Sequence, residues 1–227
     1  MKSMYLGLLM FFIANSFIYS QNDLKIGTQV WMTENLNVDR FRNGDPIPEA
    51  KTDEEWKTAN NLGNPVWCHS NNDSKLSKQH GRLYNFHAVM DPRGLAPEGW
   101  HIPSDEEWLF LIKKSGGNNL ASKTGWNAGY WGKIKSTNST KFSMKASVYR
   151  NCEGPFYPKF GDYVWYWTST NDIGYYTDFN INYKTYGAAY IRTFSNGHRG
   201  NLTSIRESKP YCSGASVRCI KDSTNNK

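Results

Sequence analysis

The pattern of hydrophobic and polar positions along this chain divides it into helical, irregular and extended segments. Gln29-Val30-Trp31-Met32 alternates like a half-buried strand, and Gly27-Thr28 just ahead supplies a turn. Asp45-Pro46-Ile47-Pro48 excludes helix and predicts extended backbone. Thr52-Asp53-Glu54-Glu55-Trp56 has a capping residue followed by acids, which predicts a short helix to about Ala59. Residues 63–81 are rich in Asn, Ser and Lys and read as surface loop, whereas Leu83–Met90 is apolar, aromatic and expected to be buried. The clearest signal is Ser104-Asp105-Glu106-Glu107-Trp108 after Pro103. Ser104 and Glu107 form a capping box, and the acids stand at the positive end of the helix dipole. The helix runs to about Ser115, with Trp108, Leu111 and Ile112 on one face and Gly116-Gly117 as its stop. Residues 118–164 show little periodicity and predict a long loop region, in which Trp126, Tyr130 and Trp131 argue against disorder. From Trp165 a series of strands begins. Strands are expected over 165–170, 177–183, 187–194 and 215–221, separated by turn residues such as Ser195-Asn196-Gly197. Helix in the first half and an antiparallel meander in the second make an α+β chain, not the alternation of a parallel sheet. No internal repeat is visible.

The first twenty residues change the picture of where the protein acts. Lys2, the apolar run Leu6–Ile13 and the small residues Ala14 and Ser20 read as a signal peptide over 1–20, with Gln21 as the mature start. The run is too short for a membrane span, and no later segment approaches the length needed for one. The expectation is a single domain over 21–227 that is secreted or held at the cell surface. The formal charge of +7 becomes +6 once Lys2 is removed. Its basic residues are scattered, which argues against nucleic acid as a partner and leaves weak attraction to acidic polysaccharide open. Cys68, Cys152, Cys212 and Cys219 lack the CxxC spacing of a zinc site. An even count in an exported chain favours two disulfides. Three pairings are open, including a local Cys212–Cys219 bridge. Long-range closure as Cys68–Cys219 and Cys152–Cys212 is expected, because the tail around Cys219 reads as a strand that must be fixed to the body.

Five segments in order carry a family resemblance. They are Ile26–Leu36 (IGTQVWMTENL), Gly81–Val89 (GRLYNFHAV), Ala96–Trp108 (APEGWHIPSDEEW), Trp167–Thr170 (WTST) and Ser216–Ile220 (SVRCI). The set resembles the Fibrobacter succinogenes major paralogous domain, found in exported proteins of Bacteroidetes- and Fibrobacter-like bacteria. The helix-start motif and terminal strand look like those of the formylglycine-generating-enzyme and C-type-lectin-like superfamily. The resemblance implies a C-type-lectin-like α+β fold, with paired N- and C-terminal strands and helices flanking a small twisted sheet. Members of the family often carry a cysteine two residues before the Gly-Trp pair. Here Pro97-Glu98-Gly99 has none, so the family's disulfide map does not transfer, and Cys152 and Cys212 look like an extra pair.

Catalytic chemistries find little support. The cysteine signature of formylglycine generation is not visible around Cys212 and Cys219, and no Gly-x-Ser-x-Gly elbow accompanies the five histidines. His87 reads as a core residue and His101 as a structural one. Helix capping accounts for Glu106 and Glu107. The chain therefore reads as a non-enzyme without a cofactor. Calcium is the alternative, since Asn71-Asn72-Asp73 and Asn171-Asp172 offer hard oxygen ligands without matching a calcium-loop signature. Aromatic residues make up 15% of the chain, and several fall in or beside predicted loops. Trp126, Tyr130, Trp131, Tyr157, Tyr175, Tyr176 and His198 are the candidate ligand-binding residues, because an exposed aromatic beside polar groups stacks on a sugar face or anchors an interface. The expected function is an exported binding or adhesion module for a surface glycan or protein, acting through loop 123–165 and the turns near Tyr175 and His198. A structural surface component and a divergent enzyme of the formylglycine-generating superfamily are the alternatives.

Overall fold

A computed structural model describes residues 23–128, 132–157, 160–172 and 187–223. The expected signal peptide, the strand expected over 177–183, and Tyr130, Trp131, Tyr175 and Tyr176 lie outside the described residues. In chain order the elements are β1 (Asp23–Ile26), β2 (Gln29–Met32), α1 (Asp53–Asn61), β3 (Trp67–Cys68), α2 (Ser74–His80), β4 (Leu83–Tyr84), α3 (Phe86–Val89), β5 (Trp100–His101), α4 (Asp105–Ser115), α5 (Gly117–Leu120), β6 (Tyr149–Arg150), β7 (Phe156–Tyr157), β8 (Tyr163–Asp172), β9 (Ala188–Asn196), β10 (Leu202–Pro210) and β11 (Ile220–Lys221). The chain is α+β.

Its two larger sheets are antiparallel. One runs β1-β2-β11-β5, so the ends of the domain meet, with Ile220 of β11 between Trp31 of β2 and His101 of β5. The other runs β10-β9-β8. In β8 the period of two is used on both faces. Val164 and Tyr166 join a cluster with Trp31, Trp108, Phe142 and Phe194. Trp165 and Trp167 point the other way, into a cluster with Tyr84, Phe86 and Val217. Strands buried on both faces read as continuous apolar runs, which is the look of Val164–Trp167. A third cluster gathers Trp56, Val66, Cys68, Leu83 and Val148.

Both capping boxes form. Thr52 Oγ1 accepts from the Glu55 amide at 3.1 Å, and Ser104 Oγ accepts from the Glu107 amide at 3.2 Å. The region 63–81, expected as loop, contains β3 and α2. Asp73 caps α2 by accepting from the Lys75 amide, and Ser77 and His80 are buried. The region 118–164 is likewise not one loop. Phe142, Met144, Ala146 and Val148 alternate into the core, and β6 and β7 pair within it. The expected strand 215–221 is extended, but it hydrogen-bonds piecemeal. Ala215 pairs with Tyr84, Ser216 with Tyr166 and Ile220 with Trp31. β10 was not expected, since Leu202–Pro210 carries polar and charged residues on an edge position that tolerates them.

Cys152 and Cys212 form the expected disulfide. The expected Cys68–Cys219 bridge is corrected, for both thiols are free and sit in different core clusters. Burial pushes the Cys68 thiol up to about 11 and the Cys219 thiol up to about 12, so both stay protonated at neutral pH.

His101 ties this architecture together at the chain ends. Its Nε2 faces Glu107 Oε1 at 2.9 Å and its Nδ1 faces Asp222 Oδ1 at 2.7 Å. Burial opposes its charge, but the two carboxylates outweigh burial and raise its pKa above the ordinary 6.5. A raised folded value stabilises fully below about pH 6.5 and loses that stabilisation as pH climbs through the folded pKa. The melting temperature is expected to fall across this window, and His101→Gln to flatten that part of the profile. An unchanged profile in the variant would reject the linkage.

Candidate functional site

A two-part cleft lies beside α2, on the side of the N-terminal turn after β2. Each wall has a local reason to be where it is. Helix α2 stops at Gly81, whose φ is +74°. A Cβ there would stand 2.7 Å from both Asn35 Cβ and Leu36 O, so glycine lets the helix end abut the segment after β2. Asn35 is the hub of that contact. Its Nδ2 donates to His80 O at 2.7 Å. Its Oδ1 accepts from Arg218 Nε at 2.9 Å, Arg218 Nη2 at 2.6 Å and Tyr166 Oη at 3.0 Å. The opposite wall is residues 122–127. The amide of Ser122 and the indole N–H of Trp126 both donate to Met144 O, at 2.7 and 3.1 Å. Asn127 then clasps residues 160–162, its amide on Gly161 O and its Nδ2 on Phe160 O and Asp162 Oδ1. Gly161 is at φ +107°, and a Cβ would fall 2.4 Å from the Asn127 side chain.

The first part of the cleft, about 310 Å³, is polar and lined by residues including Glu34, Asn35, Lys78, Ser122, Lys145 and Arg218. The second, about 510 Å³, is more apolar and lined by residues including Leu76, His80, Trp126, Asn127 and Phe160. Gln79 and Lys145 line both, so the two parts adjoin. His80 stands edge-on to Phe160, with ring centroids 4.7 Å apart. Burial, reinforced by the Lys145 charge, lowers its pKa to about 4, so the ring is neutral at physiological pH. Its Nδ1 is buried, without a hydrogen-bond partner among the described residues.

Among the candidates expected from sequence, Trp126 is half-buried and lines this cleft. Tyr157 and His198 do not. Tyr157 is 68% exposed on β7, opposite Tyr149, because the β6–β7 hairpin turns it outward. His198 is exposed in the turn between β9 and β10, which is tied instead to residues 132–135 through Asn196 Nδ2 on Gly132 O and the Lys135 amide on Gly200 O. Three of the oxygens considered for calcium accept from protein donors. Asn72 Oδ1 faces Arg150 at 3.4 Å, Asp73 caps α2, and Asn171 Oδ1 accepts from Tyr211.

Sequence reasoning missed Lys78, Gln79, His80, Lys145 and Arg218. Arg218 alone carried a signal, as a charge inside the buried run Ala215–Ile220. The others lie in segments read as loop. A chain of Ser77 Oγ to His69 Nδ1 at 2.7 Å and His69 Nε2 to Glu49 Oε1 at 3.4 Å also came to light. Ser77 is only 4% exposed and lines neither part of the cleft.

Comparison with known families matches residues 24–221 to the Fibrobacter succinogenes major domain. The chain belongs to this family. The match covers almost the whole described part of the protein, including all five quoted segments. No curated protein and no solved structure is significantly similar to the chain. Within this Fibrobacter succinogenes major domain, the conspicuous Gly99–Trp108 motif builds the frame. Trp108 is buried in the core, Glu107 is held by Ser104 and His101, and Asp105 is held by Arg192. The cleft is built by other segments.

Proposed function

We propose that this Fibrobacter succinogenes major domain is an exported, non-catalytic binding module, and that it recognises a surface glycan through the cleft. The observation that carries this reading is Trp126. Its indole N–H is spent on Met144 O, which holds the ring at the cleft beside Phe160 and the polar Gln79, Asn127 and Lys145. A fixed aromatic surface ringed by amide and ammonium donors suits the apolar face and hydroxyls of a sugar. The Cys152–Cys212 disulfide supports an oxidising compartment, in line with export through residues 1–20. The paired terminal strands support a C-type-lectin-like arrangement.

The test is a glycan array probed with the mature protein, residues 21–227, followed by titration of any glycan retained. Trp126→Ala is expected to weaken binding at least about tenfold, or about 1.4 kcal/mol. Its circular dichroism and melting temperature serve as the folding control. Binding to no glycan, or binding indifferent to this substitution, would sink the reading.

A further inference from the structure

Three arginines are buried in this protein. Arg150 is fully buried and stands 3.1 Å from Asp53 Oδ1, and Arg192 stands 2.7 Å from Asp105 Oδ1. Arg218 is 3% exposed, yet among the described residues no carboxylate lies within 4.0 Å of it. Its contacts are neutral: Asn35 Oδ1, Phe142 O at 2.5 Å, and the Phe142 ring at 4.2 Å. Burial lowers its pKa, offset in part by Tyr166 and by the more distant Glu34 carboxylate. A buried cation with no carboxylate in contact is costly to desolvate. The guanidinium has five N–H groups, and three are engaged by Asn35 and Phe142.

Arg218 also lines the polar part of the cleft. The half-buried Lys145 and exposed Lys78 line the same space, against the single carboxylate of Glu34. Neither lysine has an ion-pair partner within 4.0 Å among the described residues. The adjoining part is lined by the neutral His80 ring, Phe160 and Trp126. Three cations face one exposed anion, next to an aromatic surface.

Resting on the glycan reading above, we propose that the cleft selects a carboxylate-bearing saccharide. The uronate carboxylate sits in the polar part, facing Arg218, Lys145 and Lys78. The ring of the same or the next sugar packs on Trp126. The anion supplies the contact counter-charge that the more distant Glu34 does not, and charge-assisted hydrogen bonds to a carboxylate are about twice as strong as neutral ones. The preference is for acid over neutral sugar of the same ring shape.

The probes are a galacturonic acid hexamer and its fully methyl-esterified form, which share a backbone and differ in charge, together with a mannuronic acid hexamer. Wild-type protein is expected to bind at least one acid hexamer tenfold or more tighter than the ester in 20 mM salt, and the margin to shrink in 500 mM salt. The double variant Lys78→Gln, Lys145→Gln changes only accessible side chains and is expected to lose most of the margin while keeping its melting temperature. Equal affinity for acid and ester, or a margin untouched in the double variant, overturns the acid preference and leaves the glycan reading standing. Binding of an array glycan that is neutral, with both acid hexamers ignored, does the same. Binding to no saccharide of either kind removes both.

Discussion

Replacing Asp105 with alanine is expected to destabilise the protein by about 3–5 kcal/mol, the loss measured when one member of a buried ion pair is removed. The pair is bidentate. Arg192 Nε donates to Asp105 Oδ1 at 2.7 Å and Arg192 Nη2 to Oδ2 at 2.8 Å, with both side chains 8% exposed. Truncating Asp105 leaves the Arg192 guanidinium of β9 desolvated, with no carboxylate in place of the one it lost. Arg206 also loses a contact, but that arginine is 53% exposed and its share is small. The same carboxylate sits in the first turn of α4, so the dipole contribution of about 0.3–1 kcal/mol goes with it. Urea unfolding at pH 7 checks the value. Asp105→Ala combined with Arg192→Met is expected to recover most of the loss, because the stranded charge is then gone. A loss under about 1 kcal/mol in the single variant would show that the pair is open to water.

The second large effect is expected from Cys152→Ser with Cys212→Ser. The bridge joins residues separated by 60 positions. The chain-entropy relation for a loop of that length gives about 4 kcal/mol of stabilisation through the unfolded state. Guanidinium unfolding of the double serine variant against wild type measures it. A thiol titration distinguishes the pairing itself. Unfolded, unreduced protein is expected to react at two thiols, Cys68 and Cys219, while the folded protein reacts at none, both being fully buried with raised pKa values. Four reactive thiols on unfolding would overturn the bridge, and zero would restore the Cys68–Cys219 pairing.

Particular residues show why some features were legible and others were not. Ser104-Asp105-Glu106-Glu107 could be read because a capping box is closed by atoms three residues apart. Trp165–Thr170 could be read because apolar and β-prone residues in a short run leave few alternatives to a buried strand. The thiols misled because disulfide geometry depends on which strands meet. Cys219 turns into the first core cluster, whereas Cys68 on β3 turns into the third. Helix α2 was hidden because its seven residues are mostly polar. It is held by the Asp73 cap and by the buried His80 and Ser77. β10 was hidden for the same reason, since an edge strand half-open to water need not look apolar. Of the candidate site, only Trp126 was named from sequence. Its companions are drawn from five separate segments, and no local pattern announces such a gathering.

By itself the sequence determined the family, the α+β class, the two capping-box helices, the strand beginning at Trp165 and a single residue of the cleft, Trp126. Those features rest on interactions within a few residues, or on a period that a short window displays. The tertiary structure alone decided which charges are compensated. It placed Asp105 against Arg192, left Arg218 beside the neutral Asn35, and brought Lys78 and Lys145 to the same opening. Electrostatic partners are set by distance and desolvation in three dimensions, and residues far apart in the chain meet only once the sheets have closed.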